Sequence, residues 1–225
     1  MRVRHDTYAT IFDTVYVGVM TNLLFILGCL PLLAGLTLTD PGRSWPLLAA
    51  LAPLCAPGLC GVFAVLGAFS ADRSTAVLTT FGRAWRASWR RAMTLGASSV
   101  AVLVVLSVDI RFAWQSPAGA LAIPILATLI VLTVATTLLG LVTLAERPSA
   151  RLREVLRACS YLAVRRWYLT VVSLVVLAVL AQLIVTRPAI ALGLATAPLL
   201  YLVWSNSRFT LRTALTDPRP LAHHA

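Results

Sequence analysis

Six long apolar runs, separated by short polar stretches, constrain the fold of this chain more than any other feature. Each run has roughly 18–28 residues, and a helix needs about 20 to cross a hydrocarbon core about 30 Å thick. Because lipid offers the backbone no hydrogen-bonding partners, such runs are predicted to be helices. The predicted spans are residues 15–38, 46–69, 93–110, 118–145, 168–186 and 189–206.

The composition indicates the same class of protein. Hydrophobic residues make up 59% of the chain and charged residues 12%, and the mean hydropathy is +0.87, which leaves too little polar surface for a soluble globule. The runs are also too long and too uniformly apolar for the alternating strands of a β-barrel. We therefore predict an all-α polytopic bundle, with residues 1–213 forming one integral membrane domain and residues 214–225 forming a short, disordered cytoplasmic tail.

The distribution of positive charge predicts the orientation in the membrane. All nineteen basic residues are Arg; the N-terminal segment, the second and fourth loops and the C-terminal tail contain two, five, six and three of them. The other three loops contain one each, namely Arg43, Arg111 and Arg187. Because Arg beside a span resists translocation, both termini are predicted to be cytoplasmic. The net charge of +11 is then expected to face anionic inner-leaflet lipids rather than nucleic acid.

The second predicted cytoplasmic loop contains an amphipathic segment. At 100° per residue, three aromatic side chains share one face and three arginines lie on the opposite face, which is typical of an interfacial helix. Such a helix could anchor the chain on the inner leaflet, or dock a cytoplasmic or membrane partner, since Trp and Arg are frequent hot-spot residues. The residues are Phe81, Trp85 and Trp89 on the apolar face, and Arg83, Arg86 and Arg90 on the basic face, followed by Arg91.

The fourth loop has a similar plan. Its apolar face is predicted to contain Leu152, Val155, Leu156 and Cys159, and its arginines are Arg153 and Arg157, followed by Arg165 and Arg166 directly before the fifth span. Because an Arg pair also precedes the third span, residues 46–110 and 118–186 could be a parallel internal repeat. Selection for positive charge inside the cell is the alternative explanation.

Two polar residues in or near spans are candidate intramembrane contacts. The amide of Asn22 lies within the first span and needs hydrogen-bonding partners, so we expect it to face neighbouring helices. Asp109 lies at the outer end of the third span and is expected to be an interfacial charge anchor or to face an externally open cavity. In the second span, Pro53, Pro57 and two glycines predict a broken or kinked helix, which either packs tightly or lines a transport cavity.

Catalytic signatures are missing from the sequence. No nucleophile with a base, metal-ligand set or phosphate-binding loop is visible, so we expect a protein that is not an enzyme and that binds no cofactor or metal. The cysteines lack CxxC spacing and are expected to be small apolar packing residues. They are Cys29, Cys55, Cys60 and Cys159.

The chain resembles the YesL family of small bacterial integral membrane proteins, also classed as domain of unknown function 624. The matching segments are NLLFILGCLP, APGLCGVFAVLGAF, the stretch from Phe81 to Gly96 and the segment DIRFAW, which lie within about 15–115. Members of that family often occur near genes for carbohydrate uptake by ABC transporters. The resemblance therefore implies a bacterial plasma membrane protein with an accessory or scaffold role, whose partners are ABC transporter permease subunits or a membrane sensor. A small solute transporter or channel-like protein, with a path along the second span, is the alternative.

Overall fold

The computed structural model describes residues 2–40, 42–114, 119–147, 152–165 and 167–215, and every secondary-structure element within them is helical. The α-helices are α1 (Arg2–Leu38), α2 (Trp45–Leu51), α3 (Cys55–Asp72), α4 (Val77–Ala113), α5 (Gly119–Glu146), α6 (Leu152–Arg165), α7 (Trp167–Thr186), α8 (Pro188–Ile190) and α9 (Thr196–Leu215). A 3₁₀ turn, Ala52–Leu54, joins α2 to α3, and a π-helical segment, Ala191–Ala195, joins α8 to α9.

Within the described residues, six helical segments are long and apolar enough to cross a membrane, so the predicted all-α polytopic bundle is confirmed. These segments are Ile11–Leu38, Trp45–Asp72, Val77–Ala113, Gly119–Glu146, Tyr168–Thr186 and Pro188–Thr210. Successive spans alternate in direction. We call the end of the bundle at which α3, α5 and α9 end the Arg-rich end, because Arg73 and Arg147 directly follow α3 and α5, and Arg208 lies about two turns before the end of α9.

Helix α4 differs from the sequence prediction. The amphipathic segment and the third span form one continuous helix of 37 residues, about 55 Å long, rather than an interfacial helix followed by a span at 93–110. No helix-breaking residue separates Arg91 from Met93, so the backbone hydrogen-bond ladder continues across the predicted boundary. Only about 20 residues are needed to cross the hydrocarbon core, so the first turns of α4 extend beyond it.

The predicted break in the second span lies at the 3₁₀ turn. Pro53 and Pro57 have no N–H to donate, and the α-helical pattern is interrupted at Ala52–Leu54. The flanking residues keep right-handed helical dihedral angles, so the break is a local tightening rather than an unwound segment. A Cβ on Gly96 of α4 would lie 3.3 Å from the Pro53 Cα, which shows that α4 packs closely on the turn.

Helix α6 is separate from the fifth span, as predicted. The Thr170 hydroxyl donates to the Ala163 carbonyl at 3.2 Å, although seven residues of continuous helix would separate them by about 10 Å along the axis. Helices α6 and α7 therefore do not lie on one continuous helical axis. The two proposed repeats therefore differ: in the first, the amphipathic segment and the span form the single helix α4, whereas in the second they form the separate helices α6 and α7.

The core is centred on α3. This helix is buried on several sides: Phe63 and Val65, which lie on opposite sides of it, belong to one apolar cluster with Leu95 of α4, Leu144 of α5 and Trp204 of α9. Large side chains elsewhere on α1, α5 and α7 face outwards, as expected for helices that contact lipid.

Candidate functional site

The aromatic face of α4 is used mainly inside the protein. Phe81 is 7% exposed, and its ring lies directly on Gly61 of α3, where a Cβ would be 2.6 Å from the ring carbons. Trp85 is half-buried against the same core, and Trp89 is 37% exposed. The two indole rings pack edge to face with their centroids 4.9 Å apart. Of the three predicted contact aromatics, Trp89 is thus the one with substantial exposed surface.

The basic face of α4 is exposed. Arg83, Arg86 and Arg90 are all exposed, and none of them forms an ion pair within the part of the chain that the structure describes. Arg91 is half-buried and has an interaction of its own. We call Arg83, Arg86, Arg90 and Trp89 the α4 basic face. Three exposed guanidinium groups, with the Trp89 indole at the border of their face next to Arg86, form a surface suited to an acidic partner.

The second predicted basic segment is described in part. Helix α6 packs its apolar face on α5, where Val155 and Cys159 are buried against Ala135 and Leu139. Arg157 is exposed on the opposite side. The side chains of Arg153 and Arg165, and the whole of Arg166, lie outside the described residues.

Cys159 is a packing residue in an unusual environment for a thiol. It is buried, and its Sγ lies 3.8 Å from the Thr143 hydroxyl of α5. Burial raises the pKa of the Cys159 thiol from 9.0 to about 11, because the apolar surroundings disfavour the thiolate. The other three cysteines are also buried and free.

Asn22 makes the helix contact that the sequence predicts. It is 4% exposed; its side-chain N–H donates to the Gly193 carbonyl at 2.7 Å, and its carbonyl accepts from the Ala197 N–H at 2.7 Å. Residues 193 and 197 are four apart, so in a regular α-helix they would bond to each other. The Asn22 amide is therefore inserted into the hydrogen-bond ladder of the sixth span.

The π-helical segment explains why the ladder is open there. The Thr196 N–H bonds five residues back to the Ala191 carbonyl, and the Thr196 hydroxyl donates to the same carbonyl at 2.8 Å. A π turn displaces the following bonds, and a side chain from another helix can then occupy the gap. Both hydrogen-bonding groups of Asn22 are used in this contact, so they are directed into the bundle rather than into a path for solutes.

Asp109 has a different environment. It is exposed near the end of α4, as is Arg111, and neither forms an ion pair among the described residues. An exposed carboxylate at the end of a helix is consistent with the predicted interfacial anchor. A buried carboxylate would need contacts with neighbouring helices, and Asp109 forms no ion pair with them among the described residues.

A group that the sequence analysis did not single out lies at the Arg-rich end. The Arg208 Nε is 3.3 Å from Glu146 Oε1 at the end of α5, and the Arg208 guanidinium lies 5.0 Å above the Trp204 ring. The sequence does contain a signal for this pair, since Arg208 lies in the last turns of the sixth span and Glu146 ends the fourth span. Spacing alone does not show that α5 and α9 meet there.

Within the described residues, no cluster of three or more His, Cys, Asp or Glu side chains could hold a metal ion. No family model matches the chain, and no curated protein or solved structure matches it either. The candidate site is therefore interpreted from its own geometry.

Proposed function

We propose that this chain is a non-enzymatic accessory or scaffold protein of the bacterial plasma membrane, with both termini in the cytoplasm. The α4 basic face carries the proposal, since it presents three arginines that the bundle itself does not neutralise. The resemblance to the YesL family supplies the biological context, which is carbohydrate uptake by an ABC transport system.

The chemistry of the α4 basic face indicates what it binds. Guanidinium groups form paired hydrogen bonds with carboxylates and phosphates, and Trp89 adds an apolar contact beside them. The first turns of α4 extend beyond the hydrocarbon core, so a partner there is a membrane-surface protein or the anionic lipids around it. Permease subunits of an ABC transporter, or a membrane sensor, are the proposed protein partners.

Transport by this chain is the second hypothesis, and the geometry supports it less. The Asn22 amide donates to Gly193 and accepts from Ala197 within the bundle. The 3₁₀ turn of the second span keeps helical dihedral angles, and its Pro53 packs closely against Gly96. Asn22 and the turn, the two features that suggested a path, thus both contribute to helix packing.

The test is affinity capture from native membranes after mild crosslinking, with partners identified by mass spectrometry. The test variant carries Arg83→Gln, Arg86→Gln and Arg90→Gln. The matched control carries Arg43→Gln, Arg111→Gln and Arg187→Gln, which removes the same charge from exposed sites at the opposite end. Trp85 is left intact, because it packs on the core and its removal would also weaken the fold.

We expect wild type and control to recover permease subunits and the test variant to lose them. Equal recovery with both triple variants would contradict the assignment to the α4 basic face. If wild type recovers no transport component, the accessory role is wrong, and solute flux in proteoliposomes becomes the next measurement.

A further inference from the structure

A cavity of about 350 Å³ opens at the Arg-rich end of the bundle, between the ends of α3, α5 and α9. Its α3 wall contains the small residues Ala64, Gly67 and Ala68, and its charged residues are Glu146, Arg147 and Arg208. Ligand pockets in proteins occupy about 300–1,000 Å³, so this one can hold a small polar group. None of these residues belongs to the α4 basic face.

Arg208 is held in a fixed orientation in this cavity. Glu146 contacts its Nε at 3.3 Å, the Trp204 ring lies below its plane, and the side chain is only 24% exposed. A guanidinium has five donors in a planar fork, and contact with one carboxylate occupies one edge of it. Donors on the remaining edge are therefore available to a second anion.

Arg147 provides a second cation beside the first. It is the residue directly after α5, it is exposed, and it forms no ion pair among the described residues. The formal charges of Arg147, Arg208 and Glu146, the charged residues that line the cavity, add up to +1. The cavity thus has two guanidinium groups and one unit of positive charge that the described side chains do not balance.

We propose that this cavity, which we call the Arg147–Arg208 pocket, binds a phosphate group. Paired guanidiniums match the geometry of phosphate oxygens, and a charge of +1 suits a singly charged phosphodiester. The pocket also lies where three membrane spans end, which is the depth of lipid phosphates, and basic pockets between spans are known to take anionic headgroups. The phosphate comes either from an anionic lipid headgroup or from a soluble phosphate compound. The proposal is independent of the partner contact assigned to α4.

Binding is measured on the full-length protein in nanodiscs, by native mass spectrometry of retained lipid. One set of discs contains phosphatidylcholine alone, a second contains equal parts of phosphatidylcholine and phosphatidylglycerol, and a third contains phosphatidylcholine with added inorganic phosphate or glycerol phosphate. The variants are Arg147→Gln, Glu146→Gln and the matched control Arg187→Gln, which removes an exposed Arg from the opposite end.

We expect Arg147→Gln to weaken binding about tenfold, as loss of a charge-assisted hydrogen bond should. Glu146→Gln should strengthen binding several-fold, because it removes the negative charge while keeping an oxygen acceptor for Arg208. Arg187→Gln should bind like wild type. Ala68→Leu tests the cavity without changing any charge, and should block binding while thermal unfolding stays close to that of wild type.

The discs identify the source of the phosphate. Retention of phosphatidylglycerol in the second set without binding of soluble phosphate in the third identifies a lipid headgroup, whereas binding of soluble phosphate with the same dependence on Arg147 identifies a dissolved compound. Both results support the Arg147–Arg208 pocket. Equal binding by Arg147→Gln and Arg187→Gln, or no binding of either probe by wild type, would overturn it.

Discussion

At Asn22, one side chain replaces a backbone hydrogen bond of another helix. Its amide lies between the Gly193 carbonyl and the Ala197 N–H and bonds to each at 2.7 Å. An amide side chain is suited to this role, because its NH2 group can donate while its carbonyl oxygen, in the same plane, accepts. Without it, Ala197 would have a buried N–H with no partner in an apolar surrounding, which is unfavourable in lipid.

We predict that Asn22→Leu lowers the free energy of unfolding by about 1–2 kcal/mol, although Leu has the same branching and the same number of side-chain heavy atoms. The physical reason is the loss of both hydrogen bonds to the π-helical region. Thermal unfolding of the purified protein in detergent measures the effect. Thr37→Val is the control, since the Thr37 hydroxyl bonds only within its own helix. Equal stability of both variants would show that the Asn22 contact contributes nothing.

Cys159 should react slowly with thiol reagents. With a pKa of about 11, about one thiol in a thousand is ionised at pH 8. We expect iodoacetamide to modify Ala158→Cys, whose site is exposed on the adjacent position, at least a hundredfold faster than Cys159. Site-resolved mass spectrometry compares the two rates.

The same thiol makes the stability depend on pH. Because folding raises the pKa of Cys159 from 9.0 to about 11, the packing of α6 should be unaffected below pH 9 and should weaken between pH 9 and about 11.

At the scale of the helices, α1 and α3 make a close backbone contact. A Cβ on Gly58 would lie 2.9 Å from the Gly28 Cα, so the two backbones touch with no side chain between them. Small residues allow this close approach in membranes, where dispersion and packing replace the hydrophobic effect. The contact lies in the apolar core formed by both helices.

Gly58→Ala should separate α1 from α3 and lower the stability by about 1–3 kcal/mol, because backbone atoms cannot move aside as a flexible side chain can. Gly18→Ala is the matched control on α1, since nothing lies within 4 Å of its Cβ position. The control should be neutral or slightly stabilising, given the higher helix propensity of Ala. The unfolding temperatures of the two variants in detergent test this prediction. If Gly58→Ala and Gly18→Ala lowered the unfolding temperature equally, the close contact between α1 and α3 would be contradicted.

The sequence predicts which side chains of a helix share a face, but it does not predict what that face contacts. The amphipathic period of α4 correctly groups Phe81, Trp85 and Trp89, but a period does not say whether an apolar face meets lipid or another helix. The contact with Gly61 decides this, and it requires the packing of α3. Likewise, the need of Asn22 for a partner is readable from the sequence. Its partners are not, because the π-helical segment is 169 residues away and has no polar marker.

For the molecule as a whole, helix length and charge are distributed unequally between the two ends. Helices α1 and α4 each contain 37 residues, about 55 Å, whereas the hydrocarbon core is about 30 Å thick. Both helices begin at the Arg-rich end, so their excess length extends the bundle there. Both surfaces to which we assign contacts, the α4 basic face and the Arg147–Arg208 pocket, lie at this end.

Orientation is the property on which the assignment of the α4 basic face depends, and impermeant labelling tests it. Thr75→Cys places a thiol in the exposed loop at the Arg-rich end, and Ala189→Cys places one at the exposed turn beside Arg187 at the opposite end. The native cysteines are buried, so the wild-type protein is the background control. If Arg-rich segments stay inside, an impermeant maleimide should label Ala189→Cys on intact cells and Thr75→Cys only after permeabilisation. The opposite pattern would place the α4 basic face outside the cell, where it meets neither the anionic inner leaflet nor a cytoplasmic partner.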